Sequence, residues 1–212
     1  MLYYIGIDPG ISGAITLLDF KGNYVKTIPI PMVKLDGKSA YKQWYDIETI
    51  IELFKEYQGS VVALEYQRPI IDRYGKKASA GGQGSVAIFR TGRGFGLLEG
   101  LANVFFNNIT IVDPNRWQNF LLKKYLTKDE IQILKAKKVD YNQLIDNIKH
   151  DKYREWYTKH VTKKSTSKAK KKTAYIFYKI FESYNFDIDI KWKNNNYVDS
   201  FLIAKYMFDQ QV

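Results

Sequence analysis

The chain has 212 residues, 45% of them hydrophobic, which is enough to bury a sizeable core in one domain. It contains no cysteine, which excludes disulfides and thiolate zinc sites and leaves oxygen ligands, or the two histidines His150 and His160, for any metal. The formal net charge of +11 favours polyanionic partners, above all nucleic acid, because binding them releases counterions.

Strand-like apolar runs open the chain at residues 2–7, 14–18 and 24–30. The short turns between them predict an antiparallel meander. Apolar residues at spacings of three and four then predict a helix over 44–57 that packs on the sheet and begins at Trp44.

Two short buried strands follow at 61–64 and 109–112, and the helix between them implies parallel pairing. The basic, glycine-containing stretch 68–84 is predicted to be a loop placed for substrate contact. Residues 85–103 carry four glycines but are interpreted as a helix, since residues 92–96 miss the glycine spacing of a dinucleotide-binding loop. This helix either pairs with a second copy of the chain or packs on its own sheet.

Asp113-Pro114 predicts a helix start, and the charged sequence 127–160 has the character of a helical insertion. The basic block 163–172 is either a solvated linker or a phosphate-binding segment. A last apolar helix over 197–208 carries Asp199 on its inward face. These elements predict an α/β fold, a single domain over 1–212, with a central mixed five-stranded sheet, antiparallel meander plus parallel strands, flanked by helices.

Asp8 and Glu65 each close an apolar strand, and Asp199 faces inward from a helix, so the three carboxylates are candidates to meet at one site. A buried carboxylate is costly without a compensating cation, and converged carboxylates repel one another. Two divalent cations about 4 Å apart suit phosphodiester hydrolysis. The alternative for Asp8 is a structural Asp-Pro-Gly turn.

In motif order the chain resembles the RuvC-type Holliday-junction resolvases, nucleases of the RNase H-like superfamily. The matching segments are Gly6-Ile7-Asp8-Pro9-Gly10, Ala63-Leu64-Glu65, Gly92-Arg93-Gly94 and Val198-Asp199-Ser200 with Leu202. The resemblance implies an RNase H-like fold and a crossover junction endodeoxyribonuclease that works as a homodimer on four-way DNA junctions. It also implies Asp8, Glu65 and Asp199 as metal-binding catalytic residues, with two Mg²⁺ or Mn²⁺ ions per active site, and Lys171 at the scissile phosphate, with Lys170 or Lys172 as alternatives.

The sequence departs from this family at Asn196, where a fourth acidic or histidine metal ligand is usual. Asparagine can offer a carbonyl oxygen to a metal but lacks the negative charge that attracts it. Natural tolerance, an engineered change from aspartate, or compensation by Asp187 or Asp189 would each explain it.

Side chains that combine rings, amides and cations near these carboxylates are candidate DNA contacts. They are Tyr66, Gln67, Arg68, Tyr74, Lys76, Lys77, Arg90, Arg93, Lys168, Lys170 and Lys172.

Other interpretations remain open: a junction-binding protein with reduced or no cleavage, an RNase H-like nuclease for other branched or RNA-containing substrates, and a sugar-kinase or actin-like nucleotide-binding protein. No apolar run reaches the roughly 18 to 20 residues needed to span a bilayer, which predicts a cytoplasmic protein without membrane contact.

Overall fold

The computed structural model describes residues 2–35, 43–67, 85–136, 141–161, 168–184 and 195–211. The strands are β1 (Tyr3–Asp8), β2 (Ala14–Asp19), β3 (Tyr24–Pro29), β4 (Met32–Lys34), β5 (Gln43–Tyr45), β6 (Val61–Glu65) and β7 (Asn108–Val112). The helices are α1 (Ile47–Glu56), α2 (Ser85–Phe105), α3 (Pro114–Tyr125), α4 (Lys128–Lys135), α5 (Tyr141–Asp146), α6 (Asp151–Trp156), α7 (Lys168–Tyr184) and α8 (Asn195–Gln211), and a π-helical turn (Tyr157–Val161) continues α6. Across these ranges no helix has both the length and the apolar character required to cross a bilayer.

A mixed five-stranded sheet forms the centre of the molecule, in the order β3-β2-β1-β6-β7. The first three strands along the chain pair antiparallel, and β6 pairs parallel with both β1 and β7. The predicted α/β layout, with a meander, parallel strands and flanking helices, is therefore confirmed.

Hydrophobic clusters cover both faces of this sheet. Ile5 and Ile7 of β1 pack with α1 and α2, whereas Tyr4 belongs to the cluster formed by α3, α7 and α8. Because successive side chains of a strand point to opposite faces, Asp8 falls on the same face as Tyr4. The same alternation along β6 puts Glu65 on the face of Ala63, which also belongs to the α8 cluster.

The helix predicted over 44–57 is present, but its predicted start at Trp44 was wrong. Trp44 lies in β5, which pairs antiparallel with β4, and Val33 lies opposite Trp44. The helix begins only after Asp46, whose carboxylate caps it by accepting a hydrogen bond from the Thr49 amide at 3.2 Å. The helical spacing of apolar residues extends back to Trp44 because Trp44 and Tyr45 pack in the same hydrophobic cluster as α1, although they belong to a strand.

The other predicted helices are present with shifted ends. Residues 85–105 form one continuous helix despite their glycines, as predicted. The last helix begins at Asn195, two positions before the predicted start at 197. The segment predicted as an insertion holds α4, α5, α6 and the π-helical turn, and α4 starts at a capping box in which Thr127 and Glu130 bond each other's backbone amides. The predicted loop 68–84 lies outside the described residues.

Candidate active site

Asp8 and Glu65 are the last residues of two neighbouring parallel strands, β1 and β6. Ile7 lies opposite Leu64, so the register carries Asp8 to a position beside Glu65 on the same face of the sheet. This is the carboxyl edge of the parallel strands, where open α/β sheets commonly bind ligands. Asp8 is only 8% exposed.

Helix α8 reaches this edge because Gly6 has no side chain. A Cβ at Gly6 would lie 2.2 Å from the Ser200 carbonyl oxygen and 2.3 Å from the Ala204 nitrogen, so the backbones are in direct contact. The Ser200 hydroxyl also shares a 2.8 Å hydrogen bond with the Thr16 hydroxyl of β2. These contacts fix the α8 turn that carries Asp199.

One carboxylate oxygen of Asp199 has no partner among the residues that the structure describes. Its side chain forms a hydrogen bond with Thr173 of α7. The Oδ1 atom is buried and has no hydrogen-bond partner in the described part of the chain. A buried, unsatisfied acceptor is costly, so Oδ1 is suited to a cation or a donor that is not part of the protein.

Glu65 is oriented by two donors. The indole nitrogen of the buried Trp117 donates to Oε1 at 3.0 Å, and the Gln67 amide donates to Oε2 at 3.3 Å. Each oxygen keeps at least one further lone pair, so both donors can remain in place while Glu65 binds a cation.

The three carboxylates act on one another electrostatically. Burial raises the pKa of Asp8 to about 6, although the Gly10 amide and the Lys170 charge lower it. Burial and the Asp8 charge raise the pKa of Asp199 to about 7. The pKa of Glu65 is raised to about 8, first by burial and then by the charges of Asp8 and Asp199. The charges of all three pairs therefore interact, and divalent cations would relieve their repulsion.

The donor set fits Mg²⁺ or Mn²⁺. Hard divalent cations prefer carboxylate oxygens, and no described residue bonds the buried Oδ1 of Asp199. The charges of the three carboxylates interact, but the described residues contain no group of three His, Asp or Glu side chains arranged closely enough to hold a metal ion. Asn196 lies in the first turn of α8, and its side chain, like Asp187 and Asp189, is outside the described residues.

The three candidate lysines of α7 occupy different surroundings. Lys170 is exposed, and its charge lowers the pKa values of Asp8 and Asp199. Lys171 is only 7% exposed. Lys172 lines a separate surface cavity of about 360 Å³ between α3, α4 and α7. Lys170 is therefore a lysine whose charge reaches Asp8 and Asp199.

Sequence reasoning missed Tyr45, Trp117 and Thr173 as site residues. Tyr45 donates a 2.7 Å hydrogen bond to the Pro9 carbonyl, next to Asp8, and its ring occupies the space that a side chain at Gly94 would need. Trp117 is in the first turn of the helix after β7, and Thr173 is one turn after Lys170. The sequence could place Trp117 and Thr173 in helices, but it could not predict which distant residues these side chains contact.

The predicted DNA-contacting residues are partly described. Tyr66 is 42% exposed and packs edge-to-face on Phe95 with ring centroids 5.6 Å apart. Arg90 donates to the Gln43 carbonyl at 3.2 Å, and Arg93 lies 4.5 Å from the Trp44 ring centroid. Both arginines therefore lie along the β5 side of α2. Outside the described residues are Arg68, Tyr74, Lys76, Lys77 and the side chain of Lys168.

Comparison of the sequence with protein-family models and with curated proteins finds no match. Functional assignment therefore depends on the site itself.

The raised pKa values predict that stability without metal falls as pH rises. A carboxyl whose pKa is higher in the folded than in the unfolded state binds protons preferentially when folded, so the free energy of unfolding declines as pH rises between the two values. The shift of Asp8 alone, from 3.8 to about 6, corresponds to about 3 kcal/mol. With EDTA present, the urea midpoint should fall from pH 5 to pH 8.

Mg²⁺ should oppose this decline, because its ligands must be deprotonated to bind it. The stabilisation by Mg²⁺ should thus grow over the same pH range. Asp19 and Glu130 have lowered pKa values, so their contributions change mainly below pH 5 and do not confuse the result. A urea midpoint in EDTA that rises from pH 5 to pH 8 would contradict the described electrostatics.

Proposed function

We propose that this protein is a divalent-metal-dependent endonuclease that resolves four-way DNA junctions by paired phosphodiester hydrolysis. The observation that carries the proposal is the position of Asp8 beside Glu65 at the carboxyl edge of β1 and β6, where the Asp199 charge acts on Glu65 and the buried Oδ1 of Asp199 has no partner among the described residues. The RNase H-like kinship is part of this proposal and is supported by motif order and by the mixed sheet.

Asp8, Glu65 and Asp199 would hold two Mg²⁺ ions, for which Mn²⁺ could substitute. Such ions supply an activated water and stabilise the charge that develops on the leaving 3′ oxygen. The protein's part is to position its own groups: Trp117 and Gln67 orient Glu65, and Thr173 orients Asp199. The Lys170 ammonium is placed to attract the scissile phosphate. By analogy with the family, the products carry 5′-phosphate and 3′-hydroxyl ends.

A four-way junction is the substrate we favour, because paired sites on a symmetric dimer match its symmetry. Helix α2 offers the surface for such a dimer. Among the described residues, a Cβ at Gly92, Gly96 or Gly100 would meet nothing within 4 Å, so none of them covers this face of the helix. Phe89 and Val104, at its two ends, are 64% and 74% exposed. Gly94 instead packs inward on Tyr45, so packing within the chain accounts for this glycine and the dimer role is proposed for the other three.

A leucine at position 96 should break the dimer without harming the fold. Gly96→Leu adds a branched side chain where no described residue of the same chain lies within 4 Å, but where the helices of the proposed dimer would meet. Sedimentation should show a dimer for the unchanged protein and a monomer for the variant. Gln132→Leu, on the exposed surface of α4, is the matched control and should stay dimeric. An unchanged protein that is monomeric, or a Gly96→Leu dimer of equal strength, would refute this surface.

Cleavage assays test the proposed activity directly. A synthetic four-way junction, a linear duplex and an RNA–DNA hybrid are offered with Mg²⁺, Mn²⁺ or EDTA. We expect symmetric nicking of the junction with either metal and none in EDTA. Cutting of the hybrid in preference to the junction would instead support an RNase H-like nuclease of different substrate class. No metal-dependent cutting of any substrate would refute nuclease function.

Asn196 supports a second candidate, a protein that binds junctions with little or no cleavage. An amide at this position supplies less charge for a metal than a carboxylate would. Under this alternative, the junction binds tightly in EDTA and is cut only after Asn196→Asp. Comparable cutting by the two proteins would exclude it. We also propose a cytoplasmic location, as expected from the sequence.

A further inference from the structure

Two tyrosine hydroxyls from the segment before α7 donate to backbone carbonyls of that helix. The Tyr153 hydroxyl of α6 donates to the Ala174 carbonyl at 2.6 Å, and the Tyr157 hydroxyl of the π-helical turn donates to the Lys171 carbonyl at 3.1 Å. The donors are four residues apart and the acceptors three, so one face of each helical segment meets the other.

Both tyrosines are buried, at 4% and 0% exposure. Tyr153 stacks on Tyr178 with ring centroids 5.0 Å apart, and Tyr157 packs edge-on against Tyr175 at 6.2 Å. Buried hydroxyls require an acceptor, and a helix carbonyl can accept a second hydrogen bond in addition to its intrahelical one. A slide of α7 by one residue, about 1.5 Å, would break both hydroxyl bonds.

A second face of α7 is directed toward the carboxylate site. Thr173 is hydrogen-bonded to Asp199, and Lys170 interacts electrostatically with Asp8 and Asp199. Phe177 packs edge-on against Phe201 of α8, with centroids 5.2 Å apart. Helix α7 is thus held between α8 and the segment that carries the two tyrosines, and its axial position determines where Lys170 and Thr173 lie.

We propose that Tyr153 and Tyr157 are positioning residues for the active site. Their hydroxyls fix the register of α7 and so hold the Lys170 charge beside Asp8 and Asp199. This gives the helical segment 127–161 a role in the reaction, and the inference rests on the proposed nuclease function. A purely structural role for the same tyrosines would affect stability alone.

The test combines Tyr157→Phe with Lys170→Met in a double-mutant cycle. Tyr157→Phe removes one oxygen, keeps the ring and leaves the Lys171 carbonyl its intrahelical bond. Single-turnover cleavage of a four-way junction should slow by about 10-fold. A misplacement of about 1 Å can cost about 100-fold, and losing one of the two hydroxyl bonds should displace Lys170 by less than that. Junction affinity in EDTA should change less than about 2-fold. In the Lys170→Met background, Tyr157→Phe should have almost no further effect, since the group it positions is gone.

Tyr125→Phe is the matched control. Its hydroxyl donates to Asp209 at 2.8 Å, so it loses a comparable hydrogen bond between α3 and α8 without touching α7. It should lower the melting temperature as Tyr157→Phe does while cutting at the unchanged rate. Tyr153→Phe provides an independent second variant that should behave like Tyr157→Phe.

The possible outcomes separate this inference from the proposed function. If the unchanged protein cuts and both Phe variants match Tyr125→Phe, the positioning role is overturned and nuclease function stands. A full 10-fold effect of Tyr157→Phe that persists in Lys170→Met would likewise overturn positioning through Lys170. An unchanged protein that cuts nothing would overturn both.

Discussion

Asp8→Asn is expected to slow junction cutting by about 1,000-fold while the protein stays folded. Asparagine keeps the shape of the side chain but removes the negative charge that Asp8 would contribute to the proposed metal site. Losing one group that stabilises charge in the transition state typically lowers the rate by about 100- to 1,000-fold or more. Because Asp8 is buried with its pKa raised to about 6, the variant should also be more stable than the unchanged protein at pH 8 in EDTA. Gel assays of nicking and urea unfolding measure the two effects.

Asp46→Asn serves as the control for this experiment. Asp46 caps α1 at the protein surface, and asparagine is as good a cap as aspartate. The control removes the same charge from the chain and should change neither rate nor stability appreciably. Equal cutting by Asp8→Asn and the unchanged protein would rule out Asp8 as part of a catalytic metal site.

Gly6→Ala should have the largest effect on stability. The added Cβ would lie 2.2 Å from the Ser200 carbonyl oxygen and 2.3 Å from the Ala204 nitrogen, which are backbone atoms that cannot rotate away. Helix α8 must therefore shift away from β1, and overpacking of this severity costs about 3 kcal/mol or more. Asp199 moves with the helix, so any folded fraction should also cut slowly.

Gly10→Ala is the matched control for that substitution. A Cβ at Gly10 would be 3.5 Å from the Asp8 carboxylate, an ordinary contact, and Gly10 has no positive φ. Its urea midpoint should stay close to that of the unchanged protein. If Gly6→Ala unfolds at the same urea concentration as Gly10→Ala, the close approach of β1 and α8 is not as described.

The sequence predicted the sheet because its strands are short apolar runs bounded by turn residues, and each such run is locally defined. The sequence alone could predict that Glu65 and Asp8 lie close together, since neighbouring parallel strands end at the same edge of the sheet. Asp199 could be assigned to an inward helix face from its spacing to Leu202 and Tyr206. These are periodic or terminal features that a single segment encodes by itself.

Features that depend on contacts between distant segments were not readable. The β4–β5 pair was missed because three-residue strands carry almost no pattern, and Trp44 also fitted a helical spacing. The donors to Glu65 and Asp199 come from α3 and α7, and nothing local to Trp117 or Thr173 indicates that role. The choice among Lys170, Lys171 and Lys172 likewise required the rotation of α7, because neighbouring residues of a helix point about 100° apart.

Titration of Mn²⁺ into the protein, followed by calorimetry, tests most directly whether the three carboxylates form a cation site. We predict saturable binding of up to two ions per chain at pH 8, weaker at pH 6 and lost in Asp8→Asn but not in Asp46→Asn. Binding that is absent at millimolar Mn²⁺, or that is identical in Asp8→Asn, would contradict the account.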